Sequence, residues 1–216
     1  MVFTDVESNY KNIGLELLSS FYWISLQPMP ELKWIIKVDD NVIVNSTKLD
    51  DYLSKNRNKK GIHCLINNQE VERDPMSRNY VSKMEWIHEK YPEFCKSFFY
   101  LMNFEVAKNL MKNFDRNIYV WIEEIYITGI LRQIGNVSLF EMSENLFLKN
   151  DEFSVTKDFL VATLDNFSPF DRWALWKKLF SKSITWFVTY FYEVYQCYQS
   201  VINWQNLKIA TPKFIE

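Results

Sequence analysis

Two short acidic runs hold the residue types from which chemistry could be built. The first is Asp39-Asp40-Asn41, which follows the apolar run Trp34-Ile35-Ile36-Lys37-Val38 and precedes Val42-Ile43-Val44. Consecutive carboxylates at the end of a rigid strand repel one another. A hard, oxygen-preferring divalent cation such as Mn²⁺ or Mg²⁺ relieves that repulsion. It can then hold a diphosphate and stabilise it as a leaving group. The same pair also suits an ordinary acidic strand-to-turn junction. The second run is Glu123-Glu124, set between Trp121-Ile122 and Ile125-Tyr126. Two acids at a helix start complement the macrodipole. Alternatively, one of them is a general base that takes a proton from an acceptor hydroxyl.

The elements that position these runs are readable from periodicity. Ile13, Leu17, Leu18, Phe21 and Ile24 recur at helical spacing, predicting a helix over 10–25 that Pro28 and Pro30 stop. Residues 33–38 and 42–44 read as short strands. A helix follows, capped by Ser46 or Thr47 and turning Leu49, Tyr52 and Leu53 inward. The polar run 55–60 reads as a loop, 62–66 as a strand and Asn67-Asn68 as a turn. Residues 73–93, with Pro75 and Pro92, read as an irregular, substrate-facing segment. A strand is expected over 98–102, helices over 105–114 and 123–133, and one or two aromatic-rich helices over 171–203. Alternating strands and helices predict a layered α/β domain. In such folds ligands bind at the carboxyl ends of strands, where Asp39-Asp40 falls.

Composition narrows the class. The chain of 216 residues is 48% hydrophobic and 24% charged, enough for one domain with a sizeable core. Aromatics reach 17%; most are expected in the core, and the surplus also suits sugar stacking. Net charge is −2 with no basic tract, so no nucleic-acid partner is expected. Cys64, Cys95 and Cys197 are an odd number and show no zinc-site spacing. One Cys64–Cys95 bridge and no bridge at all both remain open. Asn45, Asn136 and Asn166 begin glycosylation sequons, which permit a secretory location. The N-terminal residues do not read as a signal peptide. No stretch reaches the roughly 18 apolar residues of a membrane span. The nearest, 184–192, reads as a buried or interfacial helix, and the aromatics over 184–198 as core, lid or membrane-surface contacts.

The order of motifs carries a resemblance. Lys33-Trp34-Ile35-Ile36-Lys37-Val38-Asp39-Asp40-Asn41-Val42 resembles the strand ending in Asp-Asp-Asp-Val of the β-1,3-galactosyltransferase-like family. Tyr10-Lys11-Asn12-Ile13, Arg73-Asp74-Pro75, Tyr91-Pro92-Glu93-Phe94-Cys95 and Glu123-Glu124-Ile125-Tyr126-Ile127-Thr128-Gly129 are similar to further segments of that family, in the family's order. The form is that of nematode-type members, and the likeness covers residues 5–140. It implies a GT-A-like α/β fold without its N-terminal β-α-β unit. Residues 1–145 would be a partial catalytic domain, and residues 146–216 a helical, aromatic-rich extension packed on it. It further implies inverting transfer of a hexose from a UDP-sugar to a glycan hydroxyl, usually with Mn²⁺. The setting would be the Golgi lumen, with a membrane anchor that this chain does not contain. Carried over by position, Asp39 and Asp40 bind the donor, Asp40 and Asn41 hold the metal, Glu124 is the catalytic base, and Glu123 and Trp121 face the acceptor.

The departures are specific. Asn41 replaces a third acid and brings no charge. Glu124 keeps the carboxylate of an Asp and adds a methylene. Glu16 stands where a basic residue is expected, and Ser97 or Phe98 where a glycine is. Neither His63 nor His88 lies after the acid pair, where a histidine ligand would fall, and His63 is expected to be packed within its strand. These departures support a second reading, a catalytically degenerate relative that binds a sugar or a protein.

Overall fold

The computed structural model describes residues 6, 9–114, 119–148, 159–165 and 167–180. The chain forms two compact units, Met1–Phe167 and Ser168–Glu216. In the first, β1 (Trp34–Val38), β3 (Gly61–Asn67), β4 (Phe94–Asn103) and β5 (Ser138–Glu141) form a mixed sheet in the order β1-β4-β3-β5. β4 is antiparallel to both neighbours, whereas β3 and β5 are parallel. A smaller sheet has the order β2-β7-β6, from β2 (Val42–Val44), β6 (Phe147–Leu148) and β7 (Val161–Thr163). Residues 146–167, expected with the C-terminal helices, thus supply two strands to this unit. The layered α/β class expected from the sequence is observed.

β4 shows why the layers form. Successive side chains on a strand point to opposite faces, and β4 is apolar on both. Phe99 and Leu101 pack with Met142, Leu160 and Val161, flanked by Leu49, Tyr52 and Leu53 of α2 (Ser46–Asn56). Tyr100 and Met102 pack with Leu18 and Phe21 of α1 (Ile13–Leu26) and with Ala107 and Leu110 of α3 (Phe104–Lys112). Each such side chain contributes about 1.5–3 kcal/mol by leaving water.

Local chemistry sets the element ends. Asn9 caps the short turn Tyr10–Asn12 that leads into α1 by accepting from Lys11 N and Asn12 N. α2 is capped by Asn45 rather than by Ser46 or Thr47. Asn45 has extended backbone and accepts from Lys48 N at 3.2 Å, while Ser46 is already helical. α2 runs on to Asn56, so the polar stretch from Lys55 begins inside it. The segment 73–93 is irregular, as expected. Its organiser is Arg73, whose guanidinium donates to the carbonyls of Val81, Trp86 and His88 at 2.8, 2.7 and 2.8 Å.

His63 is packed, as its strand position predicts. Tyr52 Oη lies 3.0 Å from its Nδ1, and Trp34 and Phe140 contact its ring. The second unit contains α5 (Pro169–Phe180), capped by Ser168 Oγ on Asp171 N. Asn166 and residues 181–216, with the 184–198 aromatics and Cys197, lie outside the described residues. Among the described residues no helix is long and apolar enough to cross a membrane.

β4 begins at Phe94, four residues before the expected start, because its first residues pair with Ile66 and Asn67 past an irregularity in β3. There the Cys64–Cys95 disulfide forms, closing the possibility that the sequence left open. It cross-links residues 31 apart in sequence. By loop entropy, a Cys64→Ala/Cys95→Ala variant is expected to lose about 2–4 kcal/mol. Urea unfolding of both proteins without reductant, followed by fluorescence, checks this. A variant equal in stability to the parent would show that the bridge does not constrain the unfolded chain.

Candidate active site

The acidic tip after β1 and the acid pair before Ile125 meet at one cleft. Asp39 N donates to Phe98 O at 3.1 Å, and Val42 N to Asp39 O at 3.2 Å, turning the chain between β1 and β2. On the other side, residues 123–134 are helical, as expected, but the turns over Ile125–Leu131 are wider π-type turns, followed by one α turn, α4 (Arg132–Ile134). All seven π-type residues are buried. Thr128 Oγ1 donates to Glu124 O and accepts from Cys95 N, fastening this helix to the start of β4. Gly129 lets the backbone approach: an added Cβ would lie 3.3 Å from Phe94 Cβ. Wide turns of this kind recur at functional sites.

The cleft has a volume of about 480 Å³. Asp39, Glu123, Glu124 and Trp121 line it, with Lys37, Glu72 and Lys96. Lys37 occupies the centre. Its ammonium lies 2.5 Å from Asp39 Oδ1 and 3.2 Å from Glu123 Oε1, and it donates to Ser97 O. Tyr100, directly opposite Lys37 across the β1–β4 ladder, donates its hydroxyl to Glu123 Oε2 at 3.1 Å. Burial alone would lower the pKa of Lys37, but Glu123 and Asp39 outweigh it and hold the ammonium above its ordinary value. Burial pushes Glu123 up to about 7, against the opposing pull of Lys37. Burial also raises Glu124, with its own backbone N–H and Lys37 opposing.

The two acids of the pair are therefore not equivalent. Glu123 is 6% exposed and committed to Lys37 and Tyr100. Glu124 is only half-buried and lines the cleft. A half-buried carboxyl whose pKa is raised by burial is a stronger base than a solvated one. Trp121 is nearly buried, with Tyr10 edge-on to its ring at 5.6 Å and the Lys11 ammonium 5.4 Å from its centroid. Its indole Nε1 has no hydrogen-bond partner among the described residues.

Asp40 and Asn41 are not among the residues that line the cleft. The Asn41 amide donates to Asp165 Oδ1 at 2.5 Å, and Leu164 N donates to Asn41 O at 2.8 Å, so Asn41 ties the turn to the end of β7. A complete divalent-cation site is not assembled among the described residues, which contain no cluster of three or more His, Cys, Asp or Glu able to hold a metal. Asp39 is held by Lys37 and the Asn41 amide nitrogen by Asp165, whereas Asn41 Oδ1 is buried without a hydrogen-bond partner among the described residues.

Two participants escaped the sequence reading. Lys37 had a usable signal, since residues two apart on a strand share a face, which puts Lys37 beside Asp39. Tyr100 had none, because its place depends on the register of β1 against β4.

A mixed α/β unit thus brings carboxylates from a strand end and a helix start to one cleft. The family model described as Galactosyltransferase matches residues 1–143, and the chain belongs to this family. It is 25% identical over 140 residues to beta-1,3-galactosyltransferase 5 of Pan paniscus, covering 64% of this chain and 46% of that one. It is 24% identical over 186 residues to beta-1,3-galactosyltransferase 1 of Mus musculus, covering 84% and 56%. The chain thus spans about half the length of the curated relatives it matches. A solved glycosyltransferase involved in the glycosylation of the major capsid of PBCV-1 aligns over 82% of this chain and 81% of that one, at 9% identity and a TM-score of 0.44.

Removing one partner of a buried ion pair leaves the other uncompensated, at a cost of about 3–5 kcal/mol. Lys37→Met is expected to destabilise the fold by that order, and by more near pH 8 than near pH 5. The sign follows from Glu123. Its folded pKa, about 7, lies above the ordinary 4.5, so its contribution is complete below 4.5 and is lost as pH rises through 7. Without Lys37 that loss steepens. Urea unfolding at both pH values measures it, and a loss independent of pH would show that Glu123 does not ionise against Lys37.

Proposed function

We propose that the cleft belongs to an inverting hexosyltransferase of the galactosyltransferase kind, acting on a UDP-sugar donor and a hydroxyl of a glycan acceptor. The observation that carries this reading is the convergence of Asp39, Glu123 and Glu124 on one cleft, joined by Lys37. In the reaction, the Glu124 carboxylate removes the acceptor hydroxyl proton as the acceptor oxygen attacks the anomeric carbon. The bond from that carbon to the diphosphate breaks on the opposite face, and UDP departs with the electron pair. Asp39 orients the donor at the strand end. Trp121 lines the acceptor side of the cleft, beside Tyr10. Glu123 acts from behind, holding Lys37 in place.

The family resemblance adds Mn²⁺ or Mg²⁺ as donor-site cofactor, but none of these steps is routed through a cation. A lumenal Golgi location belongs to the same proposal, supported by the Cys64–Cys95 disulfide, which persists in oxidising compartments.

Transfer from UDP-galactose to a panel of glycan acceptors, followed by UDP release with and without Mn²⁺, tests the reading. Glu124→Gln is expected to lower kcat by about 10²–10⁴-fold while UDP affinity stays within about twofold, because only the proton acceptor is removed. Full activity in that variant would take the base role away from Glu124. A parent protein that binds neither UDP nor uridine would remove the transferase reading altogether.

A further inference from the structure

The cleft is acidic for a site meant to receive a diphosphate. Asp39, Glu72, Glu123 and Glu124 line it, against two lysines, Lys37 and Lys96. Lys37 is already committed to Asp39, Glu123 and Ser97 O. Lys96 has no ion pair or hydrogen bond among the described residues. It is half-buried on β4, immediately before Ser97 and Phe98, whose carbonyls accept from Lys37 and from the Asp39 backbone. It lies on β4 three residues before Phe99, the last β4 residue paired with β1, and lines the same cleft as Asp39. Asp40 and Asn41 do not assemble a cation site, so the cleft lacks a counter-charge from that side.

We propose that Lys96 binds the donor diphosphate, its ammonium donating to the phosphate oxygens beside Asp39. This rests on the UDP-sugar reading above. A compact ammonium on a flexible stem suits phosphate as a point charge. The partly desolvated wall of the cleft makes that contact stronger than it would be in bulk water.

Calorimetric titration of the full chain with UDP, UMP and uridine, in EDTA and in Mn²⁺, tests the assignment. The parent is expected to bind UDP in EDTA. Lys96→Met is expected to bind UDP at least about tenfold more weakly, the scale of one hydrogen bond to a charged group, with uridine affinity unchanged. Lys96→Glu is expected to abolish UDP binding and leave uridine binding. Because Lys96 is half-exposed and unpartnered, both variants should melt with the parent, which thermal unfolding verifies. Equal UDP affinity in parent and Lys96→Met, or an equal loss for uridine, overturns the role of Lys96 and leaves the transferase reading intact. So does UDP binding by the parent that requires Mn²⁺ and ignores the substitution. Failure of the parent to bind UDP and uridine alike overturns both.

Discussion

A buried ammonium held between carboxylates from two parts of the chain is the constraint on which the site depends. Lys37 is largely withdrawn from water, as is Glu123, with side-chain exposures of 11% and 6%. Neither charge is tolerable there alone, since desolvating an ion costs several kcal/mol that only a close partner offsets. Because Lys37 comes from β1 and Glu123 from the start of the acid helix, their mutual need is also a distance constraint. It sets how far the tip of β1 lies from Glu124, the next residue along.

β4 transmits that constraint. Its first half is scaffold for the site: Cys95 N meets Thr128, Ser97 O meets Lys37, Phe98 O meets Asp39 N, and the Tyr100 hydroxyl meets Glu123. The strand's buried faces anchor these contacts, because Phe99 and Leu101 fill one core while Tyr100 and Met102 fill the other. A strand packed on both sides cannot slide without flipping its side chains out of both cores. The disulfide at Cys95 adds a covalent hold at the end nearest the cleft.

The legible part of the fold was the part governed by local pattern. The periodicity of Ile13, Leu17, Leu18 and Phe21 predicted α1, and the short apolar runs predicted β1 and β2. The irregularity of 73–93 followed from its prolines and polarity. The convergence of Asp39 with Glu123 and Glu124 was legible only through motif order, because nothing local says that a strand end and a helix start will meet. What stayed hidden depends on register and tertiary contact: Tyr100 opposite Lys37, the three carbonyls gathered by Arg73, and the use of 146–167 as β6 and β7. The cap at Asn45 was misplaced by one residue, since Asn45, Ser46 and Thr47 are all competent caps and only backbone conformation chooses among them.

Tertiary contact also explains a departure that sequence alone presented as a defect. Asn41 lacks the charge of the acid expected at its position, but its side chain sits 2.5 Å from the Asp165 carboxylate and donates to it. A carboxylate at position 41 would face Asp165 as a like charge and, when ionised, could not donate to it. The amide is therefore what the β2–β7 junction requires, and the negative charge is absent for a structural reason. With that acid gone and Asp39 neutralised by Lys37, the strand tip has less need of a divalent cation than a triple-acid tip would. On the proposal made for Lys96, its ammonium on β4 supplies the counter-charge for an anionic donor. The residue at 41 and the lysine at 96 are on this account two sides of one electrostatic adjustment, made across neighbouring strands around a single acidic tip.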